Sequence, residues 1–545
     1  MLLVKGRRKI KLRYVYRFLL ILGILLFYSV YIWQTFSGYY FYDDYEYAQA
    51  AFQLLKGSFS VIYDTFTHRL AFIFLLSGAF SLFGINDFSA VLLPVTAFFG
   101  TVTILFLYLR QHIALCLYAV AITGLNSYFL FFIDKLIPDT LVTFFCFLAG
   151  IVAQQFRQIH PVKAGLGVAS LLFVAFLTKE TSMYIWPFFC LLIIVEWMQH
   201  SKPAHYFAIS TLLVGLGLFM CYFLIYYLYT GDAFYRFNSI MDNHYTHPES
   251  YFDKPFAHLL VRLTYAPWQM FTESGLLVAV LPGLLMAARV IIREKINLRS
   301  RENFWSWFAV IFLLCFYFGT TSLRYYNPLN LLPRMYFPLL PPFALLAGLF
   351  WVSAERTSRA SIVMFLLFGI ATLYCMWIHS KYTLIYSAYA LVALWPIMFR
   401  FRFSIQTMRI VFVMVGLAIL IYRMLYPQQW GYQAEKKFFE AYLNQSTGNN
   451  LVITDKRLAL TFKWFYQFQP PDNYHFTDFT KAHELPEKNY NRVFVLFNPH
   501  TFRESFGSLQ EWNQWVPYYK YRLKAIAVSD EVVLYEIMDT GKSLN

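Results

Sequence analysis

The sequence predicts an all-α polytopic membrane domain of about thirteen transmembrane helices, followed by a small C-terminal α/β extracytoplasmic domain. Three observations carry that expectation. Of 545 residues, 59% are hydrophobic, 21% aromatic and only 14% charged, a balance foreign to soluble multidomain chains. The apolar residues fall into runs of bilayer length that stop near residue 427. The formal charge of +15 lies wholly before that point, as 32 Lys and Arg against 17 Asp and Glu, whereas residues 428–545 carry 13 of each. A basic balance built this way argues against a nucleic-acid surface, so no nucleic-acid partner is expected. The expected division is 1–427 for the membrane domain, with outer loops at 37–88 and 230–269, and 428–545 for the soluble domain.

The first run, 15–36, is preceded and overlapped by Lys5, Arg7, Arg8, Lys9, Lys11, Arg13 and Arg17, and no small-residue cleavage site follows it. It reads as a retained helix that enters from the cytoplasm. Further runs lie near 89–109, 113–131, 140–156, 164–178, 181–197, 204–229, 270–292, 304–321, 335–353, 360–378, 383–399 and 410–426. Leu70 to Phe83, about 14 residues, is short for a span and suits an interfacial or re-entrant helix. Charge parity supports this. If the segment does not cross, Arg110, Arg157, Lys163, Lys202, the cluster from Arg289 to Arg301, Arg356, Arg359, Arg400, Arg402 and Arg409 all face the cytoplasm, giving about 21 Lys and Arg inside against about 10 outside. An odd number of spans then places residues 428–545 outside, with the protein multi-pass in the cytoplasmic membrane of a bacterium. In that tail Leu451 to Thr454, Arg492 to Leu496 and Val532 to Ile537 read as strands, interleaved with helical stretches Leu458 to Phe468 and Ser508 to Trp515. Cys116, Cys146, Cys190, Cys221, Cys315 and Cys375 all sit in apolar runs and read as small core hydrophobes. No internal repeat favours a repeat-built transporter fold.

Of the 17 carboxylates in the membrane part, this topology leaves only Glu196, Glu294, Glu302 and Glu355 inside and about thirteen outside. The outer face therefore carries the chemistry. Its densest cluster, Tyr42-Asp43-Asp44-Tyr45-Glu46-Tyr47, follows the first span, and Ala48, Ala51, Phe52 and Leu55 continue at helical spacing toward Gly57. On that helix Asp44 points about 100° away from Asp43. Helix capping alone would account for both carboxylates. Their company argues for more: His68, Arg69, Asp139, Lys179, Glu180, Arg324 and Arg334 converge on one face, and ionisable groups beside a bilayer are expensive.

These residues resemble the GT-C fold polyprenyl-phosphate-sugar glycosyltransferases, in the branch of the protein O-mannosyltransferases and lipid A aminoarabinose transferase. The resemblance rests on Asp43-Asp44 after the first span, the Ala48 to Gly57 helix, His68-Arg69-Leu70-Ala71 and Leu82-Phe83-Gly84. It continues in Ile133-Asp134-Lys135 through Asp139, in Leu177-Thr178-Lys179-Glu180, and in Arg334-Met335-Tyr336-Phe337-Pro338 followed by Pro341. It spans roughly residues 15 to 350. Asp44 stands where the family has Glu, and His68 heads the segment where the family has Lys-Pro-Pro.

The resemblance implies a GT-C membrane enzyme that moves a sugar from a polyprenyl-phosphate donor to a lipid, glycan or protein acceptor with inversion. It implies Asp43 as general base, Asp44 in support and Asp139 as a secondary carboxylate, with Arg334 and Lys179, then Arg69 and Arg324, toward the phosphate, and His68 and Tyr336 in the binding segments. Such chemistry needs no cofactor, and no Walker A, Rossmann glycine pattern or HExxH is present. His244 and His247, in Asp242-Asn243-His244-Tyr245-Thr246-His247-Pro248-Glu249, leave a divalent metal open, although Pro248 favours a solvated acceptor-binding loop. Each cation could instead be a headgroup anchor. The alternative reading is a polytopic transporter or lipid flippase without transferase activity, which calls for charged or broken positions at mid-membrane in matched halves. An assembly subunit with a degenerate site is a third.

Overall fold

The computed structural model describes residues 23–39, 42–242, 255–294, 296–320, 326–398, 405–428, 430–445, 447–479, 490–504, 508–519, 522–529 and 531–538. The chain forms two compact units, Phe41–Ala418 and a second made of Met1–Tyr40 with Ile419–Asn545.

The larger unit is helical. Among the described residues of the whole chain, eight helices are long and apolar enough to cross a membrane. Their ends follow local chemistry: Asn86 accepts the Ser89 amide to start Asp87–Leu109, Ser201 does the same for Lys202–Thr230, and Gly231, at φ 78°, ends the latter in the left-handed region. Of the five other expected spans, 15–36 is partly described as helix 23–35, 383–399 is the 16-residue Thr383–Met398, 304–321 is the 18-residue Arg301–Phe318 with Arg301 and Glu302 in its first turn, and two are broken. The run 113–131 breaks at Asn126, whose side chain accepts the Phe129 amide and starts Ser127–Phe132 after Ile113–Gly124. The run 270–292 breaks at Ser274 and Gly275, between Tyr265–Glu273 and Leu277–Glu294, with Gly275 at φ 71°. The run 335–353 opens as a tight 3₁₀ turn, Pro333–Leu339, before Leu340–Ala354, because Pro338, Pro341 and Pro342 supply no amide to a regular first turn.

Leu340–Ala354 is buried along almost its whole length and packs on Leu277–Glu294, so it forms the centre of the unit. Lys202–Thr230 is mostly exposed, as a lipid-facing helix would be, and its 29 residues reach about 44 Å, longer than the ~30 Å hydrocarbon layer. Leu70–Phe83 is a 14-residue helix, as expected. The 3.3 Å ion pair of Arg69, just ahead of it, with Glu180 brings their positions to one end of the helices. Since Asp87–Leu109, the broken 113–132 segment, Asp139–Phe156 and Pro161–Thr178 lie between them, an even number of crossings fits only if Leu70–Phe83 does not cross.

The smaller unit holds helix 23–35 and a five-stranded sheet: β1 Asn450–Thr454, β2 Tyr474–Asp478, β3 Arg492–Phe497, β4 Leu523–Ser529 and β5 Val532–Ile537. Their order is β2-β1-β3-β5-β4, with β1 parallel to β2 and β3, and β5 antiparallel to β3 and β4. β1 is buried on both faces, and Leu451, Val452, Phe494, Val495, Leu534, Phe462 and Trp515 form the core. Three strands were expected; β2 and β4 are additional and occupy the two edges.

Candidate active site

Asp43 and Asp44 occupy the first turn of helix Tyr42–Leu55. Successive residues on a helix diverge by 100°, and the two carboxylates have different surroundings. Asp44 is fully buried, and its Oδ1 accepts the backbone amide of Leu136. It fastens the helix to the connection that carries the buried Asp134–Lys135 pair, at 2.7 Å. Burial pushes the Asp134 carboxyl up, and Lys135 opposes the shift. Asp43 keeps 29% of its side chain exposed, and its Oδ2 accepts from Arg334 Nη2 at 3.3 Å.

Arg334, in the turn Pro333–Leu339, is nearly buried and lies in the field of Asp139 and Asp44 as well as Asp43. Asp139 begins helix Asp139–Phe156; its Oδ1 accepts from Lys179 Nζ at 2.6 Å, and its buried Oδ2 has no hydrogen-bond partner. Lys179 ends Pro161–Thr178 in an extended conformation that separates it from the following turn. Glu180 accepts from Arg69 Nη2 at 3.3 Å and Arg236 Nη2 at 3.5 Å. Asp43, Arg334, Asp139, Lys179 and Glu180 thus form a string of alternating charges that ends in two cations, Arg69 and Arg236, sharing Glu180, and the seven residues come from six separated segments. Pairing on this scale is what allows so many charges to remain at low exposure.

Two arginines in this region were not singled out by the sequence reading. Arg236, on helix Tyr235–Asp242, stacks on the Phe176 ring at 4.4 Å and keeps Nε and Nη1 buried without partners. Arg262, on Phe256–Leu263, donates to the Leu329 carbonyl at 3.0 Å and to the Tyr336 hydroxyl at 3.5 Å. The available signal was an arginine inside a short apolar stretch, Phe256-Ala257-His258-Leu259-Leu260-Val261-Arg262-Leu263, where solvent alone would not require one.

His68 is fully buried with Nδ1 on the Tyr226 hydroxyl at 2.9 Å. Burial first, then the Arg236 charge, drive its pKa down to about 3, so it supplies no positive charge in place of a lysine. Tyr336 is buried against Phe271 and Phe316. Arg324, His244 and His247 lie outside the described residues. Among the described residues no group of three His, Cys, Asp or Glu side chains is placed to hold a metal ion.

No protein-family model and no curated protein sequence matches this chain. Among solved structures, the chain is similar to the crystal structure of ArnT from Cupriavidus metallidurans in the apo state, at 13% identity and TM-score 0.57, over 96% of this chain and 98% of that one. It is also similar to the structure of ArnT from Cupriavidus metallidurans bound to undecaprenyl phosphate, at 14% identity and TM-score 0.51, over 95% and 97%. Likeness at this identity concerns the fold. The chain is an integral membrane protein with the GT-C fold, a helical membrane unit joined to a small α/β unit.

Proposed function

We propose that the protein is an inverting glycosyltransferase that moves a sugar from a polyprenyl-phosphate donor to a lipid, glycan or protein acceptor at the outer face of the cytoplasmic membrane, with the sheet domain also outside. The observation that carries this reading is the contrast among three clustered carboxylates: Asp44 and Asp139 are buried and engaged, whereas Asp43 is partly open and has a guanidinium beside it. Only an accessible carboxylate can take a proton from an acceptor. Support comes from the fold, in which ArnT binds undecaprenyl phosphate.

In this reading the acceptor hydroxyl passes its proton to Asp43 as its oxygen attacks the anomeric carbon. The bond from that carbon to the phosphate oxygen breaks, and its electron pair leaves with the polyprenyl phosphate. Attack opposite the leaving group inverts the anomeric centre. Arg334, Lys179 and Arg69 face the growing phosphate charge, with Arg262 and Tyr336 as further donors, and Arg offers phosphate a planar fork. Asp44 holds the helix that aims Asp43. No residue of this set requires a nucleotide or a metal.

Purified protein incubated with a panel of polyprenyl-phosphate sugars and membrane acceptors tests the reading. Sugar transfer by the wild type and its loss in Asp43→Asn is the expected result. Lipid binding without transfer from any donor would instead favour a transporter or flippase.

A further inference from the structure

The stretch of chain ahead of the carboxylate helix is held by the sheet domain. Residues 36–39 follow helix 23–35 and belong to no helix or strand, so their backbone has no ladder of its own. Ser37 and Tyr39 are nevertheless buried. The Tyr39 carbonyl accepts from Arg457 Nη2 at 3.2 Å, and its ring meets Tyr432 and Trp464 edge-on at 5.8 and 5.4 Å. Trp464 Nε1 in turn donates to the Tyr432 hydroxyl at 3.1 Å, and Phe36 packs on the Tyr432 ring at 5.8 Å. Between them Gly38 sits at φ +82°, where a side chain would be strained and its Cβ would overlap the Tyr432 ring.

The residues of this grip are anchored in the domain. Arg457 and Trp464 lie on helix Lys456–Phe465, whose start is capped by Asp455 accepting the Leu458 amide, and Asp455 also accepts from Thr501. Arg457 is about nine-tenths buried. A guanidinium buried to this degree is costly unless it is hydrogen-bonded, and the Tyr39 carbonyl is one of the groups it holds.

We propose that the sheet domain is a positioning element for the transfer reaction, acting through Arg457, Tyr432 and Trp464 on residues 37–39. The proposal rests on the transferase reading above. Tyr39 is four positions before Asp43, a reach of at most ~14 Å, so a shift at the grip is passed along the chain to the first turn of the carboxylate helix. A general base must lie within hydrogen-bond reach of its proton, and a displacement of about 1 Å can cost on the order of a hundredfold in rate. The grip includes none of the cations assigned to phosphate, so donor binding should be spared.

The test uses the full chain. Arg457→Ala should lower kcat about tenfold or more with the donor KM within about twofold, and Arg457→Lys, which can still donate to the Tyr39 carbonyl, should recover part of it. Amide exchange at Glu46–Ala51 should quicken about tenfold while β1 and β3 exchange as in wild type. Where Arg457→Ala also loosens β1 and β3, Gly38→Ala decides in its place, because it strains the gripped segment and leaves the sheet domain's own sequence intact. Unchanged exchange at Glu46–Ala51 in both variants would overturn the proposal whatever the turnover. A wild type that transfers no sugar from any donor would sink the transferase reading separately, and the exchange data would still judge the grip.

Discussion

Asp43 and Asp44 are adjacent in sequence, yet substitution separates them cleanly. Asparagine has nearly the shape of aspartate and keeps an oxygen for the Arg334 guanidinium, so Asp43→Asn should fold and still lose about a hundredfold or more in transfer rate, the range of a lost general base. Turnover of well-folded Asp43→Asn within about threefold of wild type would leave Asp43 with only a structural role as the partner of Arg334. Asp44→Asn keeps an oxygen for the Leu136 amide and should be milder. Arg334→Ala should weaken donor binding, and Arg334→Lys, charged but without the fork, should recover only part of it in a lipid-binding assay; equal binding in all three proteins would make Arg334 a headgroup anchor. The carboxylates were legible because charge beside a bilayer is rare enough to stand out. Their division of labour was not. A sequence places Asp43 and Asp44 on different helix faces, but it takes the fold to bring Arg334, 291 positions away, to one and the Leu136 amide to the other. Arg236 and the neutral state of His68 depend on the same long-range packing.

Helix Tyr432–Phe438 carries a pH dependence that can be read as an element property. Glu435 is buried, accepts from Asn498 Nδ2, and burial raises its pKa to about 7 against the lowering effects of Asn498 and Arg457. A carboxyl whose folded pKa lies above its unfolded value of about 4.5 favours folding in its protonated form. The stabilisation is complete below about pH 4.5 and is lost as pH rises through about 7. Amide exchange in β1 and β3 should therefore report a less stable sheet domain at pH 8 than at pH 6, and Glu435→Gln should reduce that difference. An identical pH response in Glu435→Gln would show that another group carries it. Elements were legible in proportion to their apolar length. Apolar length cannot register where Asn126 or Gly275 breaks a run, since a single capping side chain or a left-handed residue decides it. Edge strands β2, Tyr474–Asp478, and β4, Leu523–Ser529, lacked the doubly buried pattern that made β1 and β3 readable.

At the scale of the whole chain, orientation rests on the sorting of charge. The parity argument assigns Arg157, Glu196, Glu355 and Arg409 to the inner side, and Asp43, Arg69, Asp139, Lys179, Glu180, Arg236 and Arg334 to the outer side. The ion pairs of the helical unit respect that partition: Arg157 binds Glu196 at 2.7 Å and Arg409 binds Glu355 at 2.6 Å, while the others pair among themselves. Among the described residues, no ion pair in the unit joins a group from one set to a group from the other. The pairs group the ends that share a side, and the excess of Lys and Arg predicts which side is cytoplasmic. A reporter fused after Tyr426 should therefore be active outside the membrane and one inserted at Lys295 inside. Both reporters on one side would mean an even number of crossings between them and the loss of the alternation on which the site depends. Reversal of both would keep the clustered site but turn it toward the cytoplasm, and the outer-face acceptor would have to be abandoned.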